Sequence, residues 1–454
     1  MDERGVRVAE ADWVRHAVWW QVYPLGFVGA WPTGGASEIL ADEHRLRRLE
    51  SWLDYAVELG ASGLMLGPIF AAETHGYDTV DHLRIDPRLG DDGDFDALVA
   101  AAHERGLRVL LDGVFNHVGR EHPAFQAVLE QGPAAPTASW FRLTWPAGEW
   151  RPGIEPEYET FEGHSSLVAL NHLEPTVADY VAEVLAHWLR RGADGWRLDA
   201  AYAVPTRFWA KVLPAVRAIH PAAYFVGEVI HGDYAGFVEK STVDSVTQYE
   251  LWKAIWSALN SANFFELRWA LERHNEFLAT FVPQTFVGNH DVTRIASKLD
   301  DERDVPLALA ILCTLGGTPS VYYGDEQAFR GVKEDRAGGD DAVRPEFPEK
   351  PEALAPYGWP TYRLHQDLIG LRRRHAWLHT ARSTVRHLTN EQLTYEMSDG
   401  VNRLLLALNV AAAAADVPTP YGKSVLNGVA QLTAAGSGDA RVRLEPHSFA
   451  VLEI

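Results

Sequence analysis

A chain of 454 residues with a single cysteine, Cys313, cannot close a disulfide on itself and has no second thiol for a metal or redox pair. Cys313 lies in the apolar run Leu309–Leu315, which predicts a small core residue. Cations are also scarce. Lys and Arg number 41 against 62 Asp and Glu, a formal charge of −21. Phosphate binding needs clustered Lys and Arg, so this balance excludes nucleic acid and anionic membrane surfaces as partners. What it supports is solubility. No window approaches the roughly 20 apolar residues of a membrane span. The opening MDERGVRVAEADWVRHAVWW carries acids and no apolar stretch, so no secretory leader is expected and the cytoplasm is the expected compartment. HExxH, GxxxxGK[ST] and paired His at metal-binding helical spacing are all absent, which removes the common metalloprotease and phosphate-loop chemistries.

Aromatic residues, by contrast, are plentiful, and short apolar runs recur between helical patterns. Candidate strands are Val18–Tyr23, Gly63–Leu66, Arg108–Val114, Gly195–Leu198, Tyr224–Val226, Ser245–Tyr249, Thr285–Val287 and Ser320–Tyr323. Helical periodicity fills Arg45–Leu59, Asp94–Arg105, Thr176–Arg191, Pro205–His220 and Pro306–Leu315, with Asp94 marking one helix start. Eight strands alternating with helices predict an α/β fold, a (β/α)8 TIM barrel. The barrel is assigned residues 1–117 and 171–378. Residues 118–170, rich in Pro, Gly and Trp with little helical periodicity, form an inserted excursion after strand 3. Residues 379–454 read as a C-terminal antiparallel β-sandwich domain.

Four predicted strands deliver an ionisable group at their exits: Asp112, Asp199, Glu228, and His290 with Asp291. The C-terminal rim is where such barrels place their active sites. Two carboxyl groups flanking one bond are what acetal cleavage requires, one ionised and one protonated. In GWRLDA (Gly195–Ala200), Arg197 stands two residues before Asp199, hence on the same strand face, where it can hold Asp199 ionised. Glu228 follows the apolar Tyr224–Val226, a setting expected to raise its pKa. Neighbouring strands lie about 4.8 Å apart, which suits a retaining pair separated by roughly 5–5.5 Å.

DGVFNHV (Asp112–Val118), GWRLDA, GEV (Gly227–Val229) and FVGNHD (Phe286–Asp291) resemble, in order, the four characteristic segments of the α-amylase superfamily. WWQVYP (Trp19–Pro24), HGYD (His75–Asp78), ALN (Ala169–Asn171) and YYGDE (Tyr322–Glu326) extend the resemblance along nearly the whole chain. The resemblance implies a glycoside hydrolase with Asp199 as nucleophile, Glu228 as acid/base and Asp291 as the third carboxylate gripping sugar hydroxyls. It further implies that Arg197 orients Asp199, that His117 and His290 bind hydroxyls, that Tyr77 is a stacking platform, and that Asp112 and Asn116 buttress the site.

THGYDTVDH and the loop around Arg344–Pro345 look most like neopullulanases and cyclomaltodextrinases. Thr74 stands where exo-glucosidases of the family usually place an Asp, and Asp341 and Arg344 are candidates for binding the next sugar. Ile230 replaces a Trp common in that subgroup. The subgroup's N-terminal β domain is missing, which leaves a homodimer open and without its familiar interface. The implied substrate is a malto-oligosaccharide or cyclic oligosaccharide. Transglycosylation and exo-glucosidase action remain alternatives on the same residues. No cofactor is expected. Leu25–Ser37, where a calcium loop often lies, holds no carboxylate, whereas Ca²⁺ wants six or more oxygens. Dialysis against EDTA is therefore expected to leave activity and melting temperature nearly unchanged; a large loss restored by Ca²⁺ would reveal a site elsewhere.

Overall fold

Strands covered on both faces need apolar residues throughout, so short Val-, Leu- and Trp-rich runs become the parallel strands. In the computed structural model these are β1 (Trp19–Val22), β2 (Gly63–Leu66), β3 (Arg108–Val114), β4 (Gly195–Asp199), β5 (Tyr224–Gly227), β6 (Ser245–Val246), β7 (Gln284–Phe286) and β8 (Thr318–Tyr322). The structure describes residues 10–30, 44–336, 338–420, 422–433 and 440–454, so the predicted metal-free segment Leu25–Ser37 lies outside them from residue 31 on. β1 to β6 pair in sequence, β8 joins β7 to β1, and a parallel bridge from Thr247 to Gln284 closes the barrel.

The two-residue period of a strand divides this barrel into floor, mouth and jacket. Trp20, Val22, Leu64, Leu66, Val109, Leu111, Trp196, Leu198 and Phe225 join the apolar layer against the helices. Their neighbours Trp19, Met65, Leu110, Tyr224 and Val226 form a separate apolar cluster, the barrel floor. Trp19 and Tyr224 stack there at 6.4 Å, and Trp13 meets both edge-on. Such bulk demands glycine beside it: a Cβ on Gly63 would lie 2.3 Å from the Trp19 ring, and one on Gly195 2.1 Å from the Tyr224 carbonyl. Two residues further along the same faces come Gln21, Asp112, Arg197 and Glu228. Apolar floor and polar mouth are thus one alternating pattern read along each strand.

The helices follow the expected ranges, with corrections at their ends. Asp91, not Asp94, caps the helix Asp92–Glu104; its carboxylate accepts from Gly93 and Asp94 N–H while Asp94 accepts from Asp91 N–H. The strand expected to reach Tyr249 stops at Val246, because the helix Tyr249–Asn260 starts there under a Gln248 cap. The excursion is more ordered than its composition implies. Pro123 at a first helical position opens the helix Pro123–Gln131, which buries Phe125 and Val128. Two short antiparallel pairs complete it.

After the helix Trp359–Arg374 the chain forms antiparallel sheets of five and three strands. Along Arg403–Asn409, Leu404, Leu406 and Leu408 belong to the barrel-side core while Leu405 and Ala407 face the smaller sheet. Cys313 is buried, as expected, in the helix Val305–Thr314. Among the described residues no helix is long and apolar enough to cross a membrane.

Beyond β8, Glu326 is fully buried; its carboxylate accepts from Gly324 N–H at 2.9 Å and from the Tyr55 hydroxyl at 2.9 Å. Burial nonetheless pushes this carboxyl up to about 7. A group raised this way binds its proton more tightly folded than unfolded. Its contribution is complete below the unfolded value of about 4.3 and fades as pH rises through 7, a loss on the order of 3 kcal/mol. Glu326→Gln should remove that dependence. The melting-temperature difference, variant minus wild type, is expected to move in the variant's favour between pH 5 and pH 8; a difference constant with pH would refute the assignment.

Candidate active site

The mouth of the barrel is organised by Arg197, whose guanidinium is almost fully buried on β4. One terminal nitrogen, Nη1, donates to both oxygens of Asp112 at 2.7 Å and to Asp199 Oδ1 at 3.1 Å. The other, Nη2, lies 2.8 Å from Glu228 Oε1. A single cation therefore serves three buried carboxylates. The adjacent registers of β4 and β5 bring Asp199 and Glu228 together, with Leu198 opposite Gly227 and Glu228 N–H donating to Leu198 O at 2.9 Å.

This sharing changes two expectations. Glu228 does not sit in an apolar pocket. Besides Arg197, it accepts from the Tyr249 hydroxyl at 3.2 Å and from Ala200 N–H at 2.9 Å. Its apolar sequence neighbours Phe225 and Gly227 are on the other strand face, and Val226, on its own face, lies deeper in the barrel floor. Nor does Arg197 alone determine the charge of Asp199. Burial pushes the Asp199 carboxyl well above the usual carboxylate range, Arg197 opposes that shift, and the Glu228 and Asp112 charges add to it.

Asp291 shows the opposite balance. Burial pushes its carboxyl up, but His290 and Arg344 outweigh it and hold the group well below the usual range. His290 Nε2 is 2.8 Å from Asp291 Oδ2, and Arg344 Nη2 donates to Asp291 Oδ1 at 2.9 Å. His290 is fixed in turn. Gln21 Nε2 meets its Nδ1 at 3.1 Å, its ring lies within 8° of parallel to Tyr77 at 5.3 Å, and the Tyr77 hydroxyl bonds Nε2. The Tyr77 hydroxyl also donates to Asp112 Oδ2 at 3.1 Å.

Two other predicted residues stand differently from expectation. Both ring nitrogens of His117 are engaged, Nδ1 by Asn116 at 3.2 Å and Nε2 by the Tyr77 carbonyl at 2.9 Å. Burial takes its pKa down to about 4, so the ring is neutral and clamps the Tyr77 loop. Arg344 is buried beneath Asp291 and also pairs with Asp340 at 3.0 Å. Thr74 donates to Asp78 Oδ2 at 2.5 Å.

A cleft of about 310 Å³ opens over these groups, lined by Tyr77, His117, Asp199, Glu228 and Asp291 and by residues that sequence reading left without a role. Tyr249, held by Asn289 Nδ2 at 2.9 Å, was hidden inside an overlong strand. Ala200 adopts φ 42°, a left-handed conformation costly for alanine, and thereby turns its N–H onto Glu228. Phe161, Glu162 and Lys333 reach the cleft from the excursion and from the loop after β8, with Phe161 stacked on His117 at 4.8 Å.

Two buried carboxylates on one arginine at a barrel mouth, faced by a third that is strongly ionised, can protonate a leaving oxygen, attack the carbon behind it and grip the neighbouring hydroxyls. Known proteins share the sequence family and the fold. The α-amylase catalytic domain model matches residues 21–383. A cyclomaltodextrinase of Geobacillus thermopakistaniensis is 31% identical across 98% of this chain and 78% of its own length. Among solved structures, the native debranching enzyme of Nostoc punctiforme superposes with a TM-score of 0.82 at 26% identity, covering 99% of this chain and all of that one. The cyclic α-maltosyl-(1→6)-maltose hydrolase of Arthrobacter globiformis, in complex with its cyclic sugar, gives 0.82 at 25% identity, covering 98% and 100%. With the eight-stranded barrel, its rim of carboxylates and a family match spanning both, the chain belongs to the α-amylase family of glycoside hydrolases.

Proposed function

We propose that this protein is a retaining hydrolase of α-glucosidic linkages in malto-oligosaccharides and their cyclic forms, α-1,4 first and α-1,6 as well. The observation that carries the reading is the joining of Asp199 and Glu228, from neighbouring strands, on the one guanidinium of Arg197. Strands about 4.8 Å apart suit the roughly 5–5.5 Å that lets one carboxylate attack directly.

In this reading Asp199 attacks the anomeric carbon, Glu228 protonates the departing oxygen and then activates water, and Asp291 holds the hydroxyls of the reacting sugar. Tyr77 and His290 form the wall on which that sugar rests, and Arg344 orients Asp291. The substrate class is supported by the relatives, a cyclomaltodextrinase and a cyclic α-maltosyl-(1→6)-maltose hydrolase among them.

Attack by Asp199 and then by water inverts the carbon twice. The first product observed by NMR is expected to be the α-anomer, before mutarotation; an initial β-anomer would sink the assignment of Asp199.

Product size depends on Thr74, which brings no charge to close the site behind a terminal sugar. Maltose-sized early products from maltotetraose and cyclic substrates are expected. Aryl α-glucoside should be turned over poorly, because it gains no binding from a second sugar to spend at the reacting centre. Glucose as sole early product, with fast aryl glucoside turnover, would favour the exo-glucosidase instead.

A further inference from the structure

The grip of Arg344 on Asp291 is contested. Its Nη2 lies 2.9 Å from Asp291 Oδ1 and 3.0 Å from Asp340 Oδ2, so one nitrogen stands between two carboxylates. Asp340 belongs to the same loop as Arg344 and moves with it, whereas Asp291 is fixed to the barrel just after β7. Small shifts of the Arg344 backbone therefore decide which acid keeps the cation. That backbone is held at three successive carbonyls. Val343 O accepts from the Tyr322 hydroxyl at 2.9 Å and from Arg294 Nη2 at 3.0 Å. Pro345 O accepts from the Tyr323 hydroxyl at 2.9 Å. Between them, Arg344 O packs so closely on Gly26 that a Cβ there would lie 2.5 Å away. Tyr322 and Tyr323 are fully buried, their rings 4.8 Å apart, with the Arg294 guanidinium 4.6 Å and 5.4 Å from the ring centres. Burial raises both phenols above their ordinary pKa, so each keeps the proton it donates.

A phenol has one proton to give, and both are given to the backbone on either side of Arg344. The donors come from the end of β8, which pairs with β7, Ser320 standing opposite Phe286. They thus tie the root of the Arg344 side chain to the same frame that carries Asp291. A group that orients a reacting sugar tolerates little displacement, since errors on the order of 1 Å are costly in rate. We propose that Tyr323 and Tyr322, with Arg294, are positioning residues for the reaction: they hold Arg344 on Asp291 and away from Asp340, and so keep the third carboxylate aimed at the reacting sugar. This rests on the reading of Asp291 as the group that holds that sugar's hydroxyls.

The test is a double-mutant cycle on kcat/KM for maltotriose, pairing Tyr323→Phe with Asp340→Asn. Loss of the Tyr323 proton frees the Arg344 backbone to drift toward Asp340, and a loss of about tenfold is expected, the effect of one hydrogen bond. It should fall mainly on kcat, because hydrogen bonds to the reacting sugar strengthen in the transition state. In the Asp340→Asn background the competing charge is gone, so the same Tyr323→Phe change is expected to cost less than about threefold. A loop that is merely loosened would lose the same factor in both backgrounds. Equal losses, or no loss from Tyr323→Phe, would overturn the proposal. Tyr322→Phe, whose carbonyl keeps Arg294 as a donor, takes the place of Tyr323→Phe in the cycle if the latter does not fold. Full activity in Asp291→Asn, or a wild type inert toward maltotriose, would instead overturn the underlying reading of the site, and this proposal with it.

Discussion

Arg197 is the interaction on which the rest of the site depends. Three buried carboxylates around one guanidinium leave the mouth of the barrel net negative, a costly arrangement in a medium that solvates charge poorly. It persists because the barrel delivers Asp112, Arg197 and Glu228 on three neighbouring strands whose registers are fixed by their backbone ladders. A surplus of negative charge is also the electrostatic setting that an oxocarbenium-like transition state would find favourable, and here it exists before any sugar arrives.

The same physics gives the carboxylates different characters. Burial pushes Asp199 up while its cation, Arg197, is shared with two other acids; Asp291 is buried too, but His290 and Arg344 together pull it down. Environments that separate the pKa values of neighbouring acids are how a site assigns roles to identical groups. The Asp291 partners come from different loops: His290 is braced by Gln21 of β1, and Arg344 is brought in by the segment after β8. Arg294, fully buried, ties these loops together by donating to the carbonyls of Tyr323 and Val343 and to Asp325.

Outside the barrel, alternation does the organising. The strand Arg403–Asn409 sends one set of side chains to the barrel helices and the other to the small sheet, so the C-terminal module joins the catalytic core without its own separate interior on that face. The excursion works by other means. Its helix and its Phe125, Phe141 and Tyr158 cluster hold a short hairpin whose tip carries Phe161 and Glu162 to the cleft.

The chain's local order was sufficient for the strands, because a buried parallel strand must be a short apolar run, and for the ionisable groups at their exits, because barrel mouths need polar ends on the same alternating faces. It was equally sufficient to bring Asp112, Arg197, Asp199, Glu228 and Asp291 to one rim. It was misleading where neighbours in sequence differ from neighbours in space. Glu228 follows apolar residues yet faces Arg197, Tyr249 and the Ala200 N–H; His117 has its ring nitrogens taken by Asn116 and by the Tyr77 carbonyl from a separate loop; Arg344 lies against Asp291 and Asp340. The helix Pro123–Gln131 was obscured by the glycines and prolines around it, and Tyr249 by the absence of any turn residue between β6 and the next helix. Which cation each acid shares, and which loop reaches the cleft, are decided by distances between strands and loops far apart in the chain, and only the tertiary structure sets those distances.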